Sequence, residues 1–278
     1  MKHASPSLWT ALVGSLARRP GLARLLVIVA LFVVWEIAAR WFVDPLFLSP
    51  PSKVIANLCG NFPLSWRLTC EPGSLFGTKD VPAALGLTLY ELAVAFVIAV
   101  AIGLALGLAI GLQPFVRASV FPIVLLLYGM PQVTILPLFI LSFGIGAASK
   151  IAFGVTHGVF PVVMTVVAGV QNLKPILMTS ARSMGASRWQ MFRHVIFPHM
   201  VPSFFAGMRL GMSAVLLGVL LAELYVSIAG IGYFTTLFTQ NFEPAKLLGL
   251  VGTLAAMAIF LNALVRRAET RFGRWRTG

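Results

Sequence analysis

The sequence has few charged side chains, and acidic ones are the scarcest. Only 10% of its 278 residues are charged, and 8 acidic residues stand against 21 basic ones. A soluble protein carries roughly 25% charged residues, so a fully water-exposed surface is excluded. With 59% hydrophobic residues and a mean hydropathy of +0.93, the composition predicts an integral membrane protein.

The sequence also lacks the residue groupings that catalysis, metal binding or nucleotide binding require. Its 4 histidines and 2 cysteines form no zinc pattern, and no Gly-x-Ser-x-Gly or His-Glu-x-x-His motif occurs. The string GIGAASK at 144–150 lacks the residues that flank a phosphate-loop lysine, and we expect it in a loop. We therefore predict no catalytic residues, no metal and no cofactor in this chain. Cys59 and Cys70 fit either a disulfide or two free thiols.

Long apolar runs make up most of the chain. A bilayer core about 30 Å thick needs about 20 apolar residues per helix. Six runs reach this length, at about 22–43, 85–112, 119–143, 151–170, 203–228 and 247–265. Because the runs are continuous rather than alternating, they predict an all-α membrane protein and not a barrel. We expect residues 1–278 to form one transmembrane domain, with a short helix after Pro50 and Pro51 in the loop 44–82.

Basic residues are distributed unevenly between the two sides of the predicted membrane domain. With a cytoplasmic N-terminus, 15 of the 21 Lys and Arg residues fall on the cytoplasmic side. This bias obeys the positive-inside rule and explains the net charge of +13 without nucleic acid as a partner. We expect both termini and segment 172–202 in the cytoplasm, and loop 44–82 outside.

Segment 172–202 contains basic residues but no acidic one. Pro175 predicts the start of a helix and Gly185 its end. Ser187 and Gln190 have the spacing of a capping box for a second helix, which Pro198 is expected to end. A loop that only sets the orientation needs positive charge but not two capped helices. We therefore favour a docking surface.

Residues 180–202, SARSMGASRWQMFRHVIFPHMVP, resemble the EAA loop of ATP-binding-cassette importer permeases. The matching positions are Ala181, Gly185, Ala186, Phe192 and Pro198, whereas Thr179 and Ser180 stand where the pattern has Glu-Ala. MPQVTILPLFILSFGIGAASKI at 130–151 and GMRLGMSAVLLGVLLAELYVSIAGIGYF at 207–234 are similar to permeases of the nitrate/sulfonate/taurine/bicarbonate family.

The resemblance implies a permease subunit of the bacterial inner membrane, surrounded by lipid. It implies a second permease copy in a homodimer, two ATPase subunits that bind ATP and Mg, and an external solute-binding protein. The ATPase-coupling residues would be Thr179, Ser180, Ala181, Arg182, Gly185, Ala186, Phe192 and Pro198. The solute would be a small anion such as a sulfonate, nitrate or taurine. The alternative is a secondary transporter or channel driven by an ion gradient, which the scarcity of intramembrane acids disfavours.

Polar residues within the apolar runs are candidates for a solute path. Tyr128, Met130, Gln132 and Thr134 lie beside prolines, so either a path lining or a helix kink fits them. Glu223 either lines the path or forms hydrogen bonds between helices.

Other residues of the apolar runs have simpler explanations. His157 is expected to be a hydrogen-bonded packing residue. The four-residue glycine spacing at 103, 107 and 111, and again at 207 and 211, favours close helix packing within one chain over a dimer seam.

Overall fold

The computed structural model describes residues 20–59, 80–226 and 228–272. In these ranges all regular structure is helical, as the sequence predicts. The α-helices are α1 (Pro20–Trp41), α2 (Pro51–Cys59), α3 (Asp80–Leu112), α4 (Pro114–Gly129), α5 (Leu136–Phe143), α6 (Ala147–Gln171), α7 (Pro175–Ser183), α8 (Arg188–Met191), α9 (Phe197–Val226), α10 (Ile231–Gln240) and α11 (Pro244–Phe272). A 3₁₀ turn, Gln132–Ile135, precedes α5, and a π-helical stretch, Phe192–Ile196, joins α8 to α9.

By its contacts the chain divides into two compact units. One comprises Met1–Thr78 and Phe238–Gly249, and the other comprises Lys79–Leu237 and Leu250–Gly278. In the described part of the chain, five helices are long and apolar enough to cross a membrane, or six if a bent pair is one span. The single transmembrane domain stays a prediction.

In the first unit, a network of polar side chains joins α1 to α2. Glu36 accepts hydrogen bonds from the Ser52 backbone N–H at 3.1 Å and from the Ser52 hydroxyl at 2.7 Å. Arg40, one turn after Glu36, donates to the same carboxylate at 2.6 Å. The apolar side chains of α1 are mostly exposed, as a helix surrounded by lipid requires. The predicted short helix after Pro50 and Pro51 is confirmed as α2.

The core of the second unit is a bundle of α3, α6 and α9. A Cβ atom added at Gly103 would lie 2.7 Å from the Cβ of Val162, and one added at Gly107 would lie 2.7 Å from the Cβ of Val166. A step of four residues along α3, from Gly103 to Gly107, corresponds to a step of four residues in the same direction along α6, from Val162 to Val166. The two helices therefore run parallel. Gly154 meets Val219 and Gly169 meets Ser203, so α9 runs antiparallel to α6. Added Cβ atoms at Gly111, Gly207 and Gly211 would likewise meet Val170, Thr165 and Val162 within 3.0 Å, so the expectation that the glycines at 103, 107, 111, 207 and 211 allow close packing within one chain is confirmed.

The run 119–143, expected as one span, is broken. Helix α4 ends at Gly129, and the helical segment 132–143 that follows is bent from it by 90°. Pro131 and Pro137 explain the break, since proline donates no backbone hydrogen bond and restricts the residue before it. Because α3 and α6 are parallel, the end of α3 at Leu112 and the start of α6 at Ala147 lie at opposite ends of the bundle. Residues 113–146 connect these two ends, so the bent segment covers the distance of one span.

Candidate functional site: the basic segment and the buried polar cluster

The segment 172–202, which we call the basic segment, begins with helix α7. Lys174 has an extended backbone, and Pro175 follows as the first helical residue. The helix ends at Ser183, and Gly185 follows with a φ of 75°, which lies in the left-handed region. The Gly185 N–H donates to the Arg182 carbonyl at 2.9 Å, and the Ala186 N–H donates to the Ala181 carbonyl at 3.1 Å. These two bonds form a Schellman motif, so the predicted glycine stop is confirmed.

Helix α8 starts with the predicted capping box. The Ser187 hydroxyl accepts from the Gln190 N–H at 3.2 Å, and the Gln190 side chain accepts from the Ser187 N–H at 2.8 Å. The Schellman motif and the capping box stand only one residue apart. They set the angle between α7 and α8 through local backbone bonds.

The expected helix end at Pro198 is wrong. Helical structure continues from Arg188 to Tyr225, a length of 38 residues. The π-helical stretch explains how the proline is tolerated. There the Phe197 N–H donates to the Phe192 carbonyl five residues back, and the wider turn accommodates a residue that lacks an N–H and whose ring crowds the preceding turn.

The outer surface of the basic segment combines positive charge with exposed apolar side chains. Met184 is 80% exposed and Trp189 is 66% exposed, and the Trp189 ring stacks on Phe192 with centroids 5.8 Å apart. Between the helices lies a cavity of about 440 Å³, lined by Leu177, Ser180, Ala181, Met184, His194, Val195, Pro198 and His199. The same segment carries Lys174, Arg182, Arg188 and Arg193 and no acidic residue.

The residues predicted for ATPase coupling all belong to this element. Ala181 is buried and Arg182 is exposed, and both contribute carbonyl groups to the helix stop. The Thr179 hydroxyl donates back to the Pro175 carbonyl at 3.2 Å, so within this chain it has only a local bond. Ser180 lines the cavity.

Four of the predicted path residues lie at the bend between α4 and α5. Tyr128 and Met130 are largely exposed, and the Tyr128 ring contacts Phe160 with centroids 5.7 Å apart. The Thr134 hydroxyl donates to the Pro131 carbonyl at 2.7 Å. The side-chain oxygen of Gln132 is buried without a hydrogen-bond partner. The structure therefore places these four at one break in the helix, but not Glu223.

Glu223 lies near the end of α9 and is 0% exposed. One carboxylate oxygen accepts from the Thr88 hydroxyl at 2.7 Å, and the other accepts from the Gly232 N–H at 2.8 Å. The Ile231 N–H donates to the same Thr88 hydroxyl at 3.1 Å. In this conformation the carboxylate therefore bonds between helices, which is one of the two roles that the sequence left open.

Sequence reasoning missed a second buried pair beside Glu223. Lys150 was expected in a loop, but α6 begins at Ala147 and buries it. Its ammonium nitrogen lies 2.7 Å from a carboxylate oxygen of Glu91, which is 0% exposed, and 3.4 Å from the Ala229 carbonyl. The spacing of Thr88 and Glu91 puts both on one face of α3, and this was the signal available in the sequence.

The remaining candidate residues have structural roles or lie outside the description. The His157 ring nitrogen Nδ1 lies 3.1 Å from the Phe153 carbonyl, and the two rings pack edge to face, which confirms a packing histidine. Within the described ranges no group of three His, Cys, Asp or Glu residues could hold a metal ion. The Cys59 side chain and Cys70 lie outside the described residues, so the disulfide stays a prediction.

Comparison with known proteins identifies the family. Residues 99–277 match the family described as binding-protein-dependent transport system inner membrane component. The chain is 30% identical over 247 residues to the taurine transport system permease protein TauC of Escherichia coli, covering 89% of this chain and 86% of that protein. It is 31% identical to a putative aliphatic sulfonates transport permease protein, SsuC of Escherichia coli, covering 74% and 73%. It is 25% identical to the formylaminopyrimidine transport permease protein ThiX of Halalkalibacterium halodurans, covering 88% and 92%.

The fold also matches a solved transporter. The structure superposes on a chain of the inward-facing MetNI methionine ABC transporter with a TM-score of 0.57 and 18% identity, covering 68% of this chain and 92% of that chain. Helices of this length and apolarity indicate a multi-pass membrane protein. The chain belongs to the family of binding-protein-dependent transport system inner membrane components, and it is a permease subunit of an ABC importer. It is not an enzyme, because ATP hydrolysis in such importers belongs to separate ATPase subunits, and a binding protein delivers the solute.

Proposed function

We propose that the basic segment docks on the ATPase subunits at the cytoplasmic face and transmits their movement to the membrane helices. The observation that carries this proposal is the pair of locally fixed helices with Met184 and Trp189 exposed beside basic side chains. Exposed aromatic and sulfur side chains with charged neighbours are typical of interface anchors. A rigid joint is required because a flexible loop would absorb the movement it has to transmit.

The docking proposal is tested by Trp189→Ser in the assembled importer, with its own ATPase and binding protein. The matched control is Phe115→Ser, since Phe115 is an aromatic residue 82% exposed at the start of α4 and outside the basic segment. We expect Trp189→Ser to lower the amount of ATPase that co-purifies, whereas Phe115→Ser leaves it unchanged. Equal co-purification in both variants would contradict docking through this surface.

The proposed orientation places the basic segment and both termini in the cytoplasm. The excess of basic residues on that side supports it. A single cysteine at Met184, in a chain with Cys59→Ser and Cys70→Ser, tests it. In membranes that contain this chain without its ATPase subunits, which would cover Met184, we expect a membrane-impermeant thiol reagent to label Met184→Cys in inverted vesicles but not in intact cells. Labelling in intact cells would reverse the assignment.

We further propose that two copies of this chain enclose the path, and that Tyr128, Met130, Gln132 and Thr134 contribute to it. The support is the 90° break at these residues, because irregular backbone at membrane depth is tolerated where it lines a cavity or is covered by protein. Cross-linking between single cysteines in this region, with the transporter at native stoichiometry, tests the homodimer. Without cross-links between two copies, the proposed dimer would fail.

The proposed solute is a small organic anion of the sulfonate class. Its support is the similarity to permeases named for taurine and for aliphatic sulfonates, and the four path residues at the bend carry no charge that would repel an anion. Uptake of radiolabelled taurine and of an alkanesulfonate by proteoliposomes with the cognate binding protein tests this class. Relatives named for riboflavin and formylaminopyrimidine supply the competing solutes, and uptake of one of those alone would replace the proposal.

A further inference from the structure

The turn 229–232 leads from α9 into the first two residues of α10. It is held by one side chain from each of the three bundle helices. Lys150 of α6 donates to the Ala229 carbonyl at 3.4 Å. Thr88 of α3 accepts from the Ile231 N–H at 3.1 Å, and Glu223 of α9 accepts from the Gly232 N–H at 2.8 Å. We call Thr88, Lys150, Glu223 and the turn 229–232 the Glu223 clamp.

The two glycines of the turn allow Glu223 to come this close. Gly230 has a φ of 108°, and a Cβ atom at that position would lie 2.2 Å from Oε1 of Glu223. A Cβ atom at Gly232 would lie 2.4 Å from the Cβ of Glu223. Any larger residue would therefore push the turn away from the carboxylate, and the turn and Glu223 fit each other as one unit.

Stability alone does not account for the polar side chains of the Glu223 clamp. Thr88 and Glu223 are fully buried, and Lys150 is buried beside Glu91. Removing charged groups from water is unfavourable, and apolar residues of similar volume often stabilise a buried site equally well. Hydrogen bonds, however, fix the turn in one geometry and weaken steeply when a helix shift bends them below about 120°, which suits an element with two positions.

Helix α9 connects this clamp to the basic segment. The helical structure from Arg188 to Tyr225 is continuous over 38 residues, which at 1.5 Å per residue is about 57 Å. The basic segment stands at its beginning and Glu223 near its end. A displacement of the basic segment along or around this axis therefore acts directly on the hydrogen bond between Glu223 and Gly232.

We propose that the end of the bundle opposite the basic segment forms the gate of the transport path, and that the Glu223 clamp converts movement of α9 into movement of the start of α10 at this gate. Glu223 is then a positioning residue for the gate. That the movement starts at the basic segment and passes along α9 to the clamp rests on the proposed docking of the basic segment. The clamp itself rests on contacts among α3, α6, α9 and the turn 229–232.

The test compares Thr88→Val with Thr88→Ser in the complete importer in proteoliposomes. Valine matches threonine in shape but leaves the Ile231 N–H and a Glu223 oxygen without their partner, whereas serine keeps the hydroxyl. The readouts are uptake, ATPase activity with and without binding protein, and the amount of co-purified ATPase. We expect Thr88→Val to lower the ratio of stimulated to basal ATPase activity about 10-fold or more, because the two buried hydrogen bonds to the Ile231 N–H and to Glu223 are lost, with unchanged co-purification. Thr88→Ser should stay close to the parent.

A second variant, Glu223→Gln, keeps the volume of the side chain and one acceptor oxygen, and should lower the same ratio without loss of assembly. The proposal is overturned if Thr88→Val and Glu223→Gln keep the parent ratio. It is also overturned if their uptake falls only in proportion to the amount of folded transporter, because a purely structural role predicts that result. Failure of docking would appear instead as lost co-purification in Trp189→Ser, so the two failures are distinguishable.

Discussion

Gly185 offers a direct test of whether the angle between α7 and α8 matters for transport. Its φ of 75° lies in the left-handed region, and a Cβ atom there would meet nothing within 4 Å. A substitution at this position is therefore free of steric overlap, and its effect comes from backbone conformation alone. We consider the series Gly185→Asn, Gly185→Ala and Gly185→Val.

The expected magnitudes follow from the left-handed preference of each residue. An ordinary residue loses about 1–2 kcal/mol in this conformation, asparagine loses less because it adopts it readily, and a β-branched residue loses the most. The opposing term is the Schellman pair, Gly185 to Arg182 and Ala186 to Ala181, worth about 0.5–1.5 kcal/mol per bond. For valine the two terms are comparable, so a large fraction of molecules should open the turn and change the angle between α7 and α8.

The assay is ATPase activity stimulated by the binding protein, with uptake measured in parallel on the reconstituted importer. We expect Gly185→Asn to remain close to the parent, Gly185→Ala to be intermediate and Gly185→Val to lose about half of the stimulated activity, because comparable terms leave about half of the molecules with an open turn. The amount of each variant in the membrane serves as the control. If valine and asparagine give equal stimulated activity, the joint at Gly185 does not transmit movement.

Three further changes test the bundle and its connections. Gly107→Ala should lower the midpoint of thermal aggregation in detergent below that of Gly86→Ala on the same helix, because the first overlaps Val166 and the second meets nothing within 4 Å. Overpacking of about 1–3 kcal/mol exceeds the helix gain of about 1 kcal/mol, and equal midpoints would contradict the packing. Ser187→Ala should reduce stimulated ATPase activity through the loss of about 1 kcal/mol of capping, and Ser187→Asp should preserve it; equal loss in both would exclude the cap as the cause. Arg209→Glu replaces the ion pair with Glu269 by two like charges and should lower the midpoint temperature. The double exchange Arg209→Glu with Glu269→Arg should restore part of that midpoint, whereas no recovery would mean that the pair contributes little.

Local features of the basic segment could be predicted because their determinants lie within a few residues. The glycine stop and the capping box at Ser187 depend on bonds spanning five residues or fewer, and both are present. The expectation for Pro198 failed because it assumed an unbroken α-helical register. A five-residue hydrogen-bond spacing just before the proline changes the local geometry, and nothing in the sequence pattern signals it.

The buried polar cluster depends on contacts between distant parts of the chain, which the sequence pattern does not predict. Glu223 stands out as an acid in an apolar run, but its partner Thr88 lies 135 positions away, and the other partner is a backbone N–H that carries no sequence signal. The sequence predicts a loop at Lys150 because the string 144–150 lies between two apolar runs. The burial of Lys150 depends on Glu91 from another helix, which is a matter of tertiary packing. The functional roles proposed for these residues stay predictions.

The interior where α3, α6 and α9 meet has consequences for how the molecule can deform. The glycine backbones at 103, 107 and 154 touch valine side chains, which have one stiff torsion each and cannot change rotamer to absorb a shift. Densely packed interiors of this kind resist compression. Because these contacts leave little free space, a movement of α9 passes along the helix to its far end instead of being taken up inside the bundle. Bending during a transport cycle is easier at the right-angle break around Met130, where Pro131 and Pro137 interrupt the helical hydrogen bonds.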